Sequence, residues 1–524
     1  MPTPDLLRTP NASQVGRATS LEKLNGQVYT PLPVAEAMLA RVRWPEDAGG
    51  TLLDPACGDG VFLEAAIRKA ARILPRTTAI HAVTHRMAGW DIDPVALAIC
   101  RARLAGVLAE VGLPPEALPQ LIHRDALAPP AERVRCVVGN PPYLEAKRMP
   151  QGLKARLRSD FPGSTSGAFD LYGVFLDRAL SLVEEEEGEV CFIIPNRVLV
   201  TLATRDLRRY LLASCQVEVV DLSEERVFDD AAVYPVVIRA CRSDIPYFKV
   251  AAGFESGTSV MALPSEALLD RLDALMPLPP RHPGARGMLG RLLLDERLVR
   301  FDARFDTRWT ISFHKAGLRD LFTFPERPDS PHARPFLGGG RFQGNREVDG
   351  YRVTHEGWWI DYDTARARAA GNAFPDPSLF EGPKVALCQN ARRGRAALDQ
   401  KDRVLKDTFL AIRGAPGIEE ETGLAELDWL AWVVLWLNSD FFHFLYEHLY
   451  GGTRKGGAFL HFLPRYLAPL PLASPPAPGV ALALLARVQA DLGRRGEVEG
   501  VLREAWGVTP EEAEALDAYG YPEG

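Results

Sequence analysis

Between Gly26 and about Arg242, short β-branched runs alternate with amphipathic helical segments. Strands that are joined through helices must lie mostly parallel in one sheet, so this alternation predicts a doubly wound α/β domain. The strand candidates are Thr51 to Leu53, Met87 to Asp91, Val134 to Val138, Glu189 to Ile194 and Val217 to Asp221. Between them, Val34, Met38, Leu39 and Val42 share one helical face, as do Leu171, Phe175, Leu176, Ala179, Leu180 and Val183. Sheets of this kind bind ligands beyond the carboxyl ends of their strands, so the loops after Leu53, Asp91 and Val138 are where chemistry is expected.

The chain has 524 residues, 47% hydrophobic and 25% charged, which is enough for two or more cores. After about Ile245 the pattern changes to Pro-rich stretches (Pro277 to Pro283, Pro325 to Pro335) and Gly338-Gly339-Gly340. A boundary near residues 243 to 255 is expected, giving a flexible arm over 1–20, a first domain over 21–245 and a second over 255–524. The net charge of -7 excludes wholesale coating of nucleic acid but is compatible with a local basic cleft. The seven cysteines form no CxxC pair and read as reduced core residues. The N-terminal stretch lacks a secretory apolar core, and the run Trp429 to Leu437 is far short of the roughly 20 residues that span a bilayer. A cytoplasmic location and no membrane partner are expected.

The first loop, Asp54-Pro55-Ala56-Cys57-Gly58-Asp59-Gly60, joins a strand to a helix beginning near Val61. Its glycines permit close backbone approach, but the spacing is not GxGxxG and its acids would repel a phosphate chain. A methyl donor with a positive sulfonium and an amino-acid tail suits it better. The second loop, Asp91-Ile92-Asp93-Pro94, places Asp91 where α/β domains hold a ribose, while Asp93 reads as a helix N-cap with Pro94 at the first helical position. Asp125, in His123-Arg124-Asp125-Ala126, offers an acceptor for an adenine amino group or a plain loop cap.

The third loop is the most specific. A buried strand runs directly into Asn140-Pro141-Pro142-Tyr143. Consecutive prolines fix the backbone and donate no N–H, leaving carbonyls to accept from a substrate. An amine conjugated to a planar ring or carbonyl is a poor nucleophile. Two acceptors, the Asn140 side-chain oxygen and the Pro141 carbonyl, can bind its hydrogens and favour a lone pair directed at a methyl donor. Tyr143 can stack on the planar group.

The order of these motifs closely resembles the gamma-class, TaqI-type DNA adenine-N6 methyltransferases. The resemblance covers about residues 24 to 242. It includes Gly26-Gln27-Val28-Tyr29-Thr30-Pro31, Phe169-Asp170-Leu171-Tyr172-Gly173-Val174-Phe175, Phe192-Ile193-Ile194-Pro195-Asn196, and Val227-Phe228. It implies the class I S-adenosylmethionine-dependent methyltransferase fold, a seven-stranded sheet and a mixed C-terminal target-recognition domain. It implies that S-adenosylmethionine is held by Tyr29, Thr30, Asp54, Ala56, Gly58, Asp91, Ile92, Asp125, Ala126 and Asn140. It also implies that Asn140, Pro141 and Tyr143 hold a flipped adenine with Phe228 packed on it; by its residue type alone Phe228 reads as core. Two positions depart from the family's pattern, Asp54 where a glutamate is common and Ala126 where an aromatic would pack on the donor.

In the second half, Arg297, Arg300, Arg304 and Arg308 interleave with Phe301, Phe305 and Trp309, and Arg392, Arg393 and Arg395 follow Gln389-Asn390. Both patterns suit phosphate and base contacts, or a solvated surface. Gly451 to Gly457 carries Arg454 and Lys455 in a basic loop. These residues are candidate contacts to double-stranded DNA. Looser likenesses to the family (Arg334 to Gly340, Gly382 to Val385, Trp436 to Asp440, Leu463 to Leu472) read as scaffold. His443 and His448, five residues apart, do not share a helix face, so no metal is expected. The expected protein is a monomer, with a separate cognate restriction endonuclease as a possible partner. Alternative readings are transfer to a protein glutamine amide, an RNA base or cytosine N4, or an inactive DNA-binding specificity module. The roughly 280 residues beyond the boundary favour DNA.

Overall fold

The computed structural model describes residues 29–46, 49–129, 132–223, 225, 227–228, 234–254, 260–280, 282–314, 317–338, 347–354, 357–451 and 459–519. The arm expected over 1–20, the residues Gly26 to Val28, and Arg454 and Lys455 lie outside them. The chain divides into two compact units, Met1–Pro279 and Pro280–Gly524.

The first unit is built on nine strands: β1 (Leu52–Asp54), β2 (Met87–Asp91), β3 (Gln120–His123), β4 (Cys136–Gly139), β5 (Glu189–Pro195), β6 (Cys215–Asp221), β7 (Pro235–Arg242), β8 (Tyr247–Ala252) and β9 (Met261–Leu263). They hydrogen-bond in the order β3-β2-β1-β4-β5-β7-β6-β8-β9. Neighbours pair in parallel from β3 through β5, whereas β7 is antiparallel to both β5 and β6, and β9 is antiparallel to β8. The sheet is therefore mixed and has nine strands rather than the expected seven. β8 adds in parallel to β6 and β9 follows it, so the expected boundary at 243–255 falls inside the first unit. The apolar alternation of Tyr247–Ala252 was masked by the flanking prolines.

Every residue of β4 and β5 is buried, as their continuous apolar runs require of central strands. The chain order reverses between β1 and β4, which lie side by side, so the loops leaving these two strands flank one crevice. Around the sheet run helices α1 (Leu32–Leu39), α2 (Val61–Ile73), α3 (Arg76–His85), α4 (Pro94–Glu110), α5 (Gln151–Asp160), α6 (Leu171–Leu182), α7 (Arg205–Ser214) and α8 (Ser265–Arg271). One buried cation ties α1 down. Lys69 Nζ of α2 donates to the carbonyls of Leu39 (3.0 Å), Val42 (2.8 Å) and Trp44 (2.7 Å), satisfying acceptors that a helix end leaves open. That anchor sets where Tyr29 and Thr30, just ahead of α1, can sit.

In the second unit, strands Phe305–Trp309, Phe409–Gly414, Lys384–Cys388 and Ala396–Asp399 form one sheet, and Thr323–Phe324, Trp359–Asp361, Ala333–Leu337 and Val404–Leu405 another. The apolar run Trp429 to Leu437 is a core helix, with Trp432 and Trp436 stacked on Trp506 at 5.7 and 5.8 Å between ring centroids. No helix among the described residues is long and apolar enough to cross a membrane. All seven cysteines are free and buried.

His448 is buried against Phe444 and Tyr519. Burial, and then the neighbouring His443, push its imidazole down to about 3. It is neutral in the fold, whereas an unfolded histidine takes up a proton near pH 6.5. Its contribution to stability is thus fully present above about pH 6.5 and is lost progressively as the pH falls towards about 3. Urea midpoints of the full chain should fall between neutral and mildly acid pH, and His448→Phe should flatten that dependence. An unchanged pH dependence in the variant would refute the assignment.

Candidate functional site

The crevice between β1 and β4 is shaped by glycine. A Cβ at Gly139, the last residue of β4, would lie 2.7 Å from Asp54 Oδ1 at the end of β1. Only glycine lets the two strand ends come this close. Gly60 starts α2 in the left-handed region (φ 92°), and a Cβ there would meet Cys100 Sγ at 2.5 Å. Gly58, also left-handed, instead opens onto free space.

Asp54 is 1% exposed. Its Oδ1 accepts from Ala56 N at 3.1 Å, and its buried Oδ2 has no hydrogen-bond partner. Burial pushes its carboxyl well above the usual range, opposed by the Ala56 amide and reinforced by the negative Asp91 and Asp59. A cation placed in the crevice would offset that desolvation. Asp91 binds the two loops together, accepting from Gly58 N at 2.8 Å through Oδ2 and from Asp93 N at 2.9 Å through Oδ1. Asp93 is the N-cap of α4, accepting from Val95 N at 2.8 Å, with Pro94 next, as the sequence indicated. Ile92 beside them is 69% exposed, an apolar side chain in water at the crevice. Ala56 lines the same turn, and Ala126 is buried.

Asp125 is a loop cap, the plainer of its two sequence readings, and also half of an ion pair. Its Oδ1 caps its own loop at Leu127 N (2.9 Å), and its Oδ2 pairs with Arg156 at 3.1 Å. Arg156, on α5, escaped the sequence reading; nothing in a residue 31 positions away marks it as a partner.

Asn140 follows Gly139 directly. Its Nδ2 donates to Thr30 Oγ1 at 3.0 Å across 110 residues, and Thr30 is buried. With the nitrogen turned to Thr30, the amide oxygen faces the other way. Tyr143 donates its hydroxyl to Ile193 O at 3.0 Å. Its ring meets Tyr172 edge-on at 6.0 Å and Phe228 at 6.4 Å, and burial pushes its phenol well up. Phe228 is therefore both a core residue and a wall of the Tyr143 site. Tyr172 was visible in the sequence only as part of Phe169 to Phe175. Pro141 is buried and Tyr29 half exposed. Thr30, Asp54, Gly58, Asp91, Asn140, Tyr143 and Phe228 are thus brought together around the strand ends.

The second unit tells a different story for its arginines. Arg297, Arg300, Arg304 and Arg308 pair with Asp295, Asp302, Glu421 and Asp306 at 2.7–2.8 Å, so this ridge carries matched charges rather than a phosphate surface. Acids two residues away from three of the four could have shown this. Arg393 pairs with Asp440, and Arg395 is half-buried, whereas Arg392 is exposed with its guanidinium 6.0 Å from the Phe459 ring. Asn438 is scaffold, exchanging hydrogen bonds with the Ala396 backbone at 3.1 and 2.8 Å.

Residues 130–228, which include Asn140 to Tyr143 and Phe228, match the family described as Eco57I restriction-modification methylase. The Type II methyltransferase M.BstVI of Geobacillus stearothermophilus is 27% identical over 41% of this chain and 42% of its own length. In fold, the chain is similar over 96% of its length, and 77% of the other, to the Type IIL restriction-modification enzyme MmeI solved in complex with DNA, at 13% identity and a TM-score of 0.54. The Type II methyltransferase M.TthHB8I of Thermus thermophilus is 31% identical over 441 residues, 79% of this chain and 84% of that one. Identity of that extent shows that this chain belongs to the Type II restriction-modification methyltransferases.

Proposed function

We propose that this protein transfers a methyl group from S-adenosylmethionine to N6 of an adenine flipped out of duplex DNA, with the second unit recognising a short sequence. The observation that carries the reading is the Asn140-Pro141-Pro142-Tyr143 turn, whose amide nitrogen is held by Thr30 and whose oxygen is turned away from it. That oxygen and the Pro141 carbonyl accept the two hydrogens of the N6 amine, which leaves its lone pair directed out of the ring plane. No base is required before transfer, since the proton can leave afterwards. Tyr143, flanked by Phe228 and Tyr172, supplies a stacking surface that offsets part of the few kcal/mol needed to unstack the base.

The donor fits the crevice. Asp54 Oδ2, buried and without a hydrogen-bond partner, suits the donor's ammonium group, Asp91 the ribose hydroxyls, Gly58 the close backbone approach, and Ile92 an adenine face. When bound, S-adenosylmethionine supplies an electrophilic methyl group on a positive sulfonium. Asp125 would accept from the donor's amino group beside, or in exchange for, Arg156. Arg392 remains a candidate DNA contact, as do Arg454 and Lys455; the pairing of Arg393 with Asp440 argues against it.

Long-read modification mapping of DNA from cells expressing the chain tests the whole reading. N6-methyladenine at one recurrent short sequence is expected. Methyl groups on cytosine N4, or on RNA or protein with none on DNA, would overturn it. A restriction endonuclease partner, if there is one, would cut that same sequence when it is unmethylated.

A further inference from the structure

Five cations and no acid occupy residues 146–159, namely Lys147, Arg148, Lys154, Arg156 and Arg158, in a chain whose net charge is -7. They begin four residues after Tyr143. Two apolar side chains, Met149 (4% exposed) and Leu157 (0%), are buried and hold the segment down. Backbone bonds clamp its start to the chain ahead of α6, Ala146 N to Phe169 O at 2.9 Å and Leu171 N to Leu144 O at 3.0 Å. Arg148, Arg156 and Arg158 are exposed and the Lys147 side chain is 76% exposed, whereas Lys154 is half-buried.

Charge pairing does not cancel this run. Lys147 pairs with Glu145 and Arg156 with Asp125. Arg158 instead lies 5.8 Å from the Phe169 ring and donates to Gly167 O at 3.4 Å, and among the described residues Lys154 and Arg158 have no carboxylate within ion-pair distance. Lys154 and Arg158 are four residues apart on α5, a like-charge spacing that destabilises a helix. A cationic strip only partly matched by carboxylates, on an acidic protein, suits a polyanion, and a base drawn out of a duplex brings its own two phosphates to the catalytic turn.

We infer that residues 147–158 form a phosphodiester-binding segment that grips the DNA strand beside the base held at Asn140. This rests on the reading of DNA as the substrate. The sequence-independent character of such contacts makes them separable from base recognition.

The experiment measures binding of the full chain to a mixed-sequence duplex by fluorescence anisotropy across a range of salt concentrations. Each phosphate contact contributes about 0.9 to the slope of log affinity against log salt, so Lys154→Gln/Arg158→Gln should make that slope shallower by about 1.8 and weaken binding equally across sequences. Donor affinity by calorimetry should stay at the wild-type value, which also reports an intact fold. A control with the same charge change at exposed positions of α2 and α4, Arg72→Gln/Arg101→Gln, should leave the slope unchanged. An unchanged slope in the first pair, or an equal loss in the control, would overturn the inference. If the wild-type chain bound no duplex at all, the DNA reading itself would fall with it.

Discussion

Asn140→Ala is expected to lower methyl transfer at saturating donor by about 10² to 10³. Removing one preorganised group that stabilises a transition state costs about 2.7–4 kcal/mol in other enzymes, and Asn140 supplies one of the two acceptors for the amine. The amide nitrogen is engaged by Thr30 at 3.0 Å, so loss of the side chain removes the oxygen without disturbing Asp54 or Asp91. Thr30→Ser should retain most activity and Thr30→Val should lose part of it, because only the former keeps an acceptor for Nδ2. Single-turnover transfer of labelled methyl to DNA, with calorimetry for the donor, separates loss of transfer from loss of donor binding. Transfer at the wild-type rate by Asn140→Ala would rule the mechanism out.

Lys384→Met should be the most damaging change for the second unit. Lys384 and Asp399 are both 0% exposed and meet at 2.9 Å, on adjacent strands in register. Lys384 also donates to Phe380 O at 2.8 Å and Lys401 O at 2.9 Å. Burial lowers the pKa of this ammonium, opposed by Asp399. Taking away one member of a buried pair costs about 3–5 kcal/mol where it strands the other charge, and the Arg403 partner of Asp399 holds the cost here to the lower part of that range. For a unit of this size the whole range corresponds to a fall in melting temperature of roughly 6–20 °C. Adding Asp399→Leu should restore part of the loss, though Arg403 would then lose its own partner at 2.5 Å. A loss below about 1 kcal/mol on urea unfolding would show that the pair is not a structural requirement.

The candidate site was legible in the sequence to the extent that it is local. β2 begins and ends where the sequence placed it, and β5 and β6 within two residues: β5 is an apolar run buried along its whole length, and β6 alternates buried and part-exposed residues as a half-covered strand does. Asp93 could be named an N-cap because capping depends only on the next few residues. Strands β8 and β9 were not recovered, since six and three residues amid prolines lack the length that gives periodicity its meaning. For the arginine ridge at 297–308 the sequence left a phosphate surface and a solvated face both open, although the acids that pair with three of its four arginines stand two residues away. Counting cations without their carboxylates takes composition for field, and the cation run 147–158, which stays partly unmatched, was passed over.

The amino-acid order by itself determined which residues are candidates for the chemistry and on which strand ends they stand: the acids after β1 and β2, and the asparagine, prolines and tyrosine after β4. It could not say that Asn140 meets Thr30 or that Phe228 meets Tyr143, because those pairs are separated by 110 and 85 residues and only the assembled mixed sheet with its helices brings them within reach. Short-range chemistry is written in adjacent residues. The approach of β4 to Asp54, the unpartnered oxygen buried there and the pairing of Asp125 with Arg156 depend on sheet order and packing, which tertiary structure alone decides.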